Sequence, residues 1–152
     1  MSVPLLRVLC GLPAAGKSTW AATNGHHALV LSADVIREHG AHGGTVFARM
    51  EARAREALLA GLDVVIDACS LAASQRGTWR AIATQTGART ELVFFCTPFA
   101  ECMARNARRE RPAIADWQAM RAHAQQAVYA VQREGWGAVQ YVPRLVVAFA
   151  YS

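Results

Sequence analysis

The chain has 152 residues, of which 53% are hydrophobic and 18% charged, and it carries a net charge of +5. One domain with a sizeable core fits this length. The longest strictly apolar run, residues 145–151, is too short for a membrane span, and the N-terminus lacks a signal-peptide pattern. We therefore expect a soluble, cytoplasmic protein with no membrane partner.

Apolar runs alternate with helical patterns along the whole chain. Strands are predicted at Leu5–Cys10, Ala28–Leu31, Val64–Ala68, Leu92–Cys96 and, on a weaker pattern, Leu145–Phe149. Helices are predicted at Lys17–Thr23, Thr45–Ala60, Ser74–Thr86, Pro98–Arg109 and Ala115–Glu134, with Ser74 as an N-cap. Such alternation indicates an α/β fold: one domain over residues 1–152, with a parallel sheet of about five strands between layers of helices.

Four cysteines, Cys10, Cys69, Cys96 and Cys102, show no CxxC spacing. Three of them lie in or beside apolar runs. They are expected to be buried thiols in a reducing compartment, rather than disulfides or zinc ligands.

A glycine-bracketed turn follows the first predicted strand and opens the first predicted helix. It matches the GxxxxGK[ST] pattern of a P-loop, in which backbone N–H groups and a helix N-terminus hold phosphates. The predicted ATP-binding residues of this turn are Gly11, Leu12, Pro13, Ala14, Ala15, Gly16, Lys17, Ser18 and Thr19. The alternative is a glycine-containing turn that matches the pattern by chance, but the predicted strand before it and the predicted helix after it favour phosphate binding.

Lys17 is the only lysine in the chain, against 15 arginines. A compact ammonium on a thin stem can reach the β- and γ-phosphates, whereas a planar guanidinium is bulkier and has a different donor geometry. We therefore interpret Lys17 as catalytic and Ser18 as a ligand of Mg²⁺.

Two aspartates lie at or after the carboxyl ends of apolar strand runs. Asp67 ends the run Val64–Ile66, a pattern that favours a place near Mg²⁺ or the P-loop serine over a simple turn cap. Asp34 follows the second strand, where open parallel sheets place ligands, and Arg37 shares a helical face with it. Spacing alone does not separate a catalytic Asp34 and Arg37 from a capping Asp34 and a solvated Arg37.

Arginines cluster after the fourth strand, in the stretch RNARRERP. Either this is a solvated helix end or it is a small lid whose arginines neutralise charge during phosphoryl transfer. Arg105 and Arg109 lie one helical turn apart and can reach the same site. The lid hypothesis assigns nucleotide binding to Arg105 and catalysis to Arg109.

Four stretches, GLPAAGKST, SADVIR, DVVIDACS and ARNARRERP, together resemble the P-loop kinases related to polynucleotide 5′-hydroxyl kinase, which are also related to zeta-toxin and antibiotic phosphotransferase kinases. The resemblance runs from about Leu5 to Met120. It implies that Asp34 is the general base, that Arg37 contacts a phosphate of the acceptor, and that Arg105, Asn106 and Arg109 form the lid.

Two departures from the family pattern are visible. Ala14 and Ala15 stand where the family often has a glycine and a small residue. Ala68, Cys69 and Ser70 follow Asp67 where the family usually has Thr-Asn, which leaves the acceptor contacts at this turn open.

The leading hypothesis is an ATP- and Mg²⁺-dependent kinase acting on a hydroxyl acceptor, with the 5′-OH of DNA or RNA favoured. A small-molecule kinase on the same scaffold, acting on an antibiotic, a sugar or a nucleotide-sugar, is the alternative. A GTPase switch is disfavoured because the Asn-Lys-x-Asp segment is missing, and no DxxG follows the third strand. A module that binds ATP without transferring phosphate is a further alternative.

Overall fold

The computed structural model describes residues 2–40, 43–109, 114 and 116–143. Within them, five strands form one sheet: β1 (Leu5–Cys10), β2 (Ala28–Ser32), β3 (Asp63–Asp67), β4 (Arg89–Phe95) and β5 (Ala138–Val142). Their order is β2-β3-β1-β4-β5, and every neighbouring pair is parallel. The predicted parallel α/β sheet is confirmed.

The described part of the chain also contains six α-helices, which connect or follow the strands: α1 (Lys17–Asn24), α2 (Ala33–Glu38), α3 (Gly44–Leu59), α4 (Ala73–Thr86), α5 (Phe99–Ala107) and α6 (Trp117–Ala130), with a 3-10 turn at Val131–Arg133. The connection from β1 to β2 leads toward one edge of the sheet, whereas the later connections lead toward the other edge. Because such crossovers are right-handed, α1 covers one face of the sheet, while α3 and α4 cover the other.

The core lies on the central strands. Val8 of β1 stands between Ile66 of β3 and Leu92 of β4, and all three side chains are fully buried. Strands that are buried on both faces appear in the sequence as continuous apolar runs. For this reason β1 was predicted with its observed bounds, and β3 and β4 were predicted with bounds that differ by up to three residues.

Three features differ from the sequence-based predictions. Helix α4 begins at Ala73 with Ala72 as its N-cap, so the prediction that Ser74 is an N-cap is wrong. Neither α2 nor β5 was predicted. The strand predicted at Leu145–Phe149 lies outside the described residues, and so does the first residue of the helix predicted to begin at Ala115.

All four cysteines are free thiols. Cys10, Cys96 and Cys102 are buried, while Cys69 is half-buried. Burial raises the pKa of the Cys10 thiol to about 12, and it raises the pKa of Cys96 and of Cys102 to about 11. These three thiols therefore stay protonated at neutral pH.

No helix within the described ranges is both long enough and apolar enough to cross a bilayer.

Candidate functional site

The candidate site lies at the carboxyl edge of the central strands. The turn after β1 leads into α1, and the turns after β3 and β4 end at the same edge because all the strands are parallel. The chain leaves β1 toward β2 on one side, whereas β4 lies on the other, so β1 marks the switch point at which open α/β sheets place ligands.

The P-loop backbone depends on three small residues in different ways. Gly16 has a φ of 104°, a conformation that glycine adopts without strain. At Gly11 a Cβ atom would meet Cβ of Phe95 at 3.0 Å, so glycine is needed there for close approach to β4. Ala14 has a φ of 65°, a left-handed conformation that costs an alanine about 1–2 kcal/mol. The departure from glycine noted in the sequence thus falls on a strained position.

Lys17 is 93% buried, at 7% relative exposure. Its Nζ donates hydrogen bonds to the carbonyl oxygens of Leu12 at 2.6 Å and Gly11 at 3.1 Å. The ammonium therefore lies inside the curve of the loop. An arginine in place of Lys17 would bring a planar guanidinium to these two carbonyl oxygens, and it would not reproduce the hydrogen-bond geometry of the ammonium.

Two side chains from later in the chain hold the P-loop from outside. The Thr97 hydroxyl, which follows β4 and is buried, donates to the Ala15 carbonyl at 2.7 Å. Arg105 donates to the Ala14 carbonyl at 3.4 Å and to Glu101 at 2.6 Å. Thr97 was not identified from the sequence, although a threonine directly after a buried strand was a usable signal.

Ser18 and Asp67 meet across the edge of the sheet. The Ser18 Oγ donates to Oδ2 of Asp67 at 2.6 Å. A hydroxyl and a carboxylate at this spacing are oxygen donors suited to Mg²⁺, which in nucleotide sites takes one or two protein ligands beside the substrate phosphates. The described residues contain no group of three or more His, Cys, Asp or Glu side chains able to hold a metal ion.

Asp34 and Arg37 lie on α2, one turn apart. The Arg37 guanidinium donates from Nη1 to Oδ1 of Asp34 at 3.3 Å, and both side chains remain about half exposed. Helix α2 begins at Ala33, and its N-cap is Ser32, whose side chain accepts a hydrogen bond from the Val35 N–H. Asp34 is therefore not the N-cap of α2, contrary to the alternative in which Asp34 only caps this helix.

Two adjoining concavities meet at the P-loop. The first, here called the P-loop groove, has a volume of about 660 Å³. It is lined by Ala14, Ala15, Gly16, Thr19, Trp20, Thr23, Asn24, Phe95, Thr97, Arg105, Arg109, Val142 and Pro143.

The second, here called the Asp34 cavity, has a volume of about 500 Å³. Its polar and charged lining residues are Lys17, Ser18, Asp34, Arg37, Asp67, Ser70, Gln75, Asn106, Arg109 and His123. Its remaining lining residues are Pro13, Ala14, Ala33, Phe47, Ala68, Cys69, Leu71, Ala72, Ile114 and Met120. Ala14 and Arg109 line both concavities and mark where they join.

The clustered arginines differ in which concavity they line. Arg109 lines both concavities, Arg105 lines only the P-loop groove, and Arg108 lines neither. Arg111 lies outside the described residues. The structure thus brings Arg105 and Arg109 to the same groove, as the lid hypothesis requires, and it directs Arg108 elsewhere.

A buried ion pair supports the turn after β3. Arg76 of α4 donates to both carboxylate oxygens of Glu134, at 2.9 Å and 2.8 Å, and to the carbonyls of Ser70 at 3.1 Å and Leu71 at 2.8 Å. Burial acts to raise the pKa of Glu134, but its hydrogen bonds from Arg76 and Trp136 outweigh burial and lower it. Sequence reasoning missed this pair because its members are 58 positions apart.

These features define a P-loop kinase fold: a five-stranded parallel sheet flanked by helices, with a phosphate-type loop at its switch point. The family model described as an AAA domain matches residues 6–133, and the chain belongs to that family. A comparison with curated protein sequences gives no significant match.

Solved structures with the same fold differ in what they act on. A chain of the Pnkp1/Rnl/Hen1 RNA repair complex is 20% identical with a TM-score of 0.72, over 90% of this chain and 48% of that one, so this chain spans about half its length. The APS kinase of Mycobacterium tuberculosis is 19% identical with a TM-score of 0.57, over 99% and 95%. A gluconokinase from Sinorhizobium meliloti is 17% identical with a TM-score of 0.56, over 97% and 87%. At these identities the likeness establishes the fold alone.

Proposed function

We propose that this protein is an ATP-dependent phosphotransferase that moves the γ-phosphoryl group of ATP to a hydroxyl group. The observation that carries the proposal is the junction of the two concavities at Ala14 and Arg109. A nucleotide in the P-loop groove would extend its β- and γ-phosphates across this junction toward Lys17, Ser18 and Asp67, and an acceptor in the Asp34 cavity would face them.

On this proposal, the P-loop and Lys17 hold the nucleotide. The backbone N–H groups of the loop and the N-terminus of α1 bind the phosphates, and Lys17 extends from the carbonyls of Gly11 and Leu12 toward the β- and γ-phosphates. Arg105, which donates to the Ala14 carbonyl, contributes a positive charge on the P-loop groove side of the loop. Fixed positive charge of this kind stabilises the phosphoryl group as it transfers.

Ser18 and Asp67 would hold Mg²⁺, which supplies charge neutralisation between the β- and γ-phosphates when bound. Their 2.6 Å hydrogen bond keeps the two oxygens together at the end of β3. Asp67 is buried, so its carboxylate is held at this edge of the sheet rather than in open solvent.

Asp34 is proposed as the general base. Its carboxylate accepts the proton of the acceptor hydroxyl while the new oxygen–phosphorus bond forms, and the bond from the γ-phosphorus to the β-phosphate oxygen breaks to release ADP. Arg37 orients Asp34 through their hydrogen bond at 3.3 Å. Arg109, at the junction, stabilises the charge on the transferring group.

Two classes of acceptor follow from different observations. The sequence resemblance favours the 5′-OH of DNA or RNA, and the basic composition agrees with an anionic partner. The volume of the Asp34 cavity, about 500 Å³, favours the alternative, a small-molecule acceptor. Among the proteins of similar fold, one belongs to an RNA repair complex, and others are an APS kinase and a gluconokinase.

A transfer screen tests the proposal. The protein is incubated with Mg²⁺ and ATP labelled at either the γ- or the α-phosphate, together with oligonucleotides bearing a 5′-OH, nucleosides, sugars and aminoglycosides. The proposal expects label in an acceptor from γ-labelled ATP and none from α-labelled ATP. Tight ATP binding without hydrolysis or transfer to any acceptor would instead identify a nucleotide-binding module.

A further inference from the structure

The size of the Asp34 cavity sets an upper limit on what it can enclose. Its volume of about 500 Å³ lies within the range of roughly 300–1,000 Å³ that is typical of pockets for small molecules. Its walls come from separate elements, including Asp34 on α2, Phe47 on α3, Gln75 on α4 and Met120 on α6. A pocket of this volume, lined by several elements, suits a compact ligand better than an extended chain.

Much of the lining is apolar. Phe47, Leu71, Ile114 and Met120 all face the cavity, and all except the buried Leu71 are only partly buried. An aromatic ring and a flexible thioether are side chains that pack well against planar rings, and covering their surface with an apolar ligand face is favourable.

Two of the three arginine and lysine side chains on the described lining already have partners. Lys17 donates to P-loop carbonyls, Arg37 pairs with Asp34, and Arg109 is shared with the P-loop groove. Asp34 and Asp67 add negative charge. Binding of a nucleic-acid backbone needs a positively charged groove that follows the phosphates, and the described lining of the cavity has no such run of cations.

Ser70 leaves one hydrogen bond open at the cavity wall. It lines the cavity, and its hydroxyl is buried with no hydrogen-bond partner among the described residues. Its backbone is held in a left-handed conformation, with φ at 51°, while Arg76 binds its carbonyl. Because buried polar groups are nearly always paired, this hydroxyl is a hydrogen-bonding group of the cavity wall that the protein itself leaves for a polar substituent of a ligand.

From these four observations we infer that the acceptor is a compact, uncharged alcohol carrying a planar or apolar ring. Its ring contacts Phe47 and Met120, its reacting hydroxyl lies toward Asp34, and a polar substituent reaches Ser70. This inference rests on the proposed phosphotransferase function and narrows its acceptor.

The test compares probes that differ in charge and length. Thymidine and 1-phenyl-1,3-propanediol represent uncharged ring alcohols, a 5′-hydroxyl oligothymidylate represents a nucleic-acid end, and gluconate represents an anionic sugar acid. Transfer from γ-labelled ATP gives kcat/KM for each probe at low and high salt. The inference expects an uncharged ring alcohol to be the best acceptor, with kcat/KM insensitive to salt.

Variants at the apolar wall check the binding mode. Met120→Ala and Phe47→Ala should each raise KM for the best ring alcohol by about tenfold, since a buried apolar side chain of this size contributes about that much affinity. The KM for ATP should not change. Met103→Ala, an exposed methionine of α5 outside both concavities, is the matched control and should leave both constants unchanged. If Phe47→Ala fails to fold, Met120→Ala against Met103→Ala decides the outcome.

Several results would overturn the inference while leaving the proposed function intact. They are a higher kcat/KM for the oligothymidylate or for gluconate, hydrolysis of ATP with transfer to none of the probes, or an unchanged KM in Met120→Ala. Absence of both ATP binding and ATP hydrolysis would instead remove the proposed function and the inference with it.

Discussion

The Ser18 hydroxyl donates to the Asp67 carboxylate at 2.6 Å, which joins the start of α1 to the end of β3. The two residues are 49 positions apart in the chain, and they meet only because β1 and β3 are parallel neighbours. The pair therefore ties the P-loop to the strand that borders the Asp34 cavity. On the proposed function it is also where Mg²⁺ is held, so its loss should be seen in metal dependence before it is seen in folding.

Asp67→Asn should raise the Mg²⁺ concentration needed for half-maximal ATP binding by at least about tenfold, the scale on which changes around a metal site act. The amide can still hydrogen-bond to Ser18, so the fold should be retained. ATP affinity measured across a Mg²⁺ titration checks this. Asp63→Asn, at the other end of β3, is the control, because that carboxylate accepts a hydrogen bond from the Leu5 N–H at 2.8 Å and lies outside the site. A loss of thermal stability alone in Asp67→Asn would assign Asp67 a structural role.

Asp34→Asn should lower kcat by about 10²–10⁴-fold, because general-base assistance is typically of that size. ATP affinity should change little, since on this proposal Asp34 acts on the acceptor hydroxyl and holds neither the nucleotide nor Mg²⁺. Steady-state kinetics with a saturating acceptor give both quantities. Glu38→Gln, an exposed residue at the end of α2, should leave kcat unchanged. An equal kcat in Asp34→Asn and wild type would exclude Asp34 as the base.

Arg109→Ala should lower kcat by up to about 10³-fold if it stabilises the transferring phosphoryl group, as arginine fingers do. Arg108→Ala is a closely matched control: it is the adjacent arginine, also exposed, and it lines neither concavity. We expect it to keep near-normal kcat. Kinetics on both variants at two salt concentrations separate the alternatives, and equal, modest losses in both would identify a diffuse basic patch instead of a lid.

Glu134→Gln should destabilise the fold at neutral pH and weaken its response to acid. The pKa of Glu134 is lowered below its ordinary value of 4.5, so its contribution to stability is present above that pH and is lost as the pH falls further. Breaking a buried pair at one partner typically costs about 3–5 kcal/mol. Urea unfolding of wild type and variant across the acid range measures this, with the exposed Glu56→Gln as control. Parallel pH profiles for wild type and Glu134→Gln would show that the pair contributes nothing specific.

The central part of the fold could be predicted from the sequence because its signals are local. Strand β1 is a continuous apolar run, and the P-loop follows it directly. Strand β5 lies at the edge of the sheet, where half-exposed residues alternate, so it lacks the apolar run that marks a buried strand. Helix α2 has only six residues, too few for a helical period to be visible.

The candidate site likewise contains residues with a local sequence signal and residues without one. The P-loop, Asp34 and Asp67 were identified because each lies at or after the end of an apolar strand run. Arg76 and Glu134, the open hydroxyl of Ser70, and the apolar wall at Phe47 and Met120 depend on contacts between distant segments. Their side chains carry no local pattern that separates them from ordinary helix residues.

The central proposal is tested most directly by phosphoryl transfer from γ-labelled ATP in wild type, Lys17→Ala and Lys17→Arg, with ATP binding and thermal unfolding measured alongside. Wild type should label the acceptor. Both variants should lose transfer while remaining folded, because the buried ammonium of Lys17 fits between the Gly11 and Leu12 carbonyls where a guanidinium does not. Transfer at the wild-type rate by a folded Lys17→Ala variant would contradict the proposal.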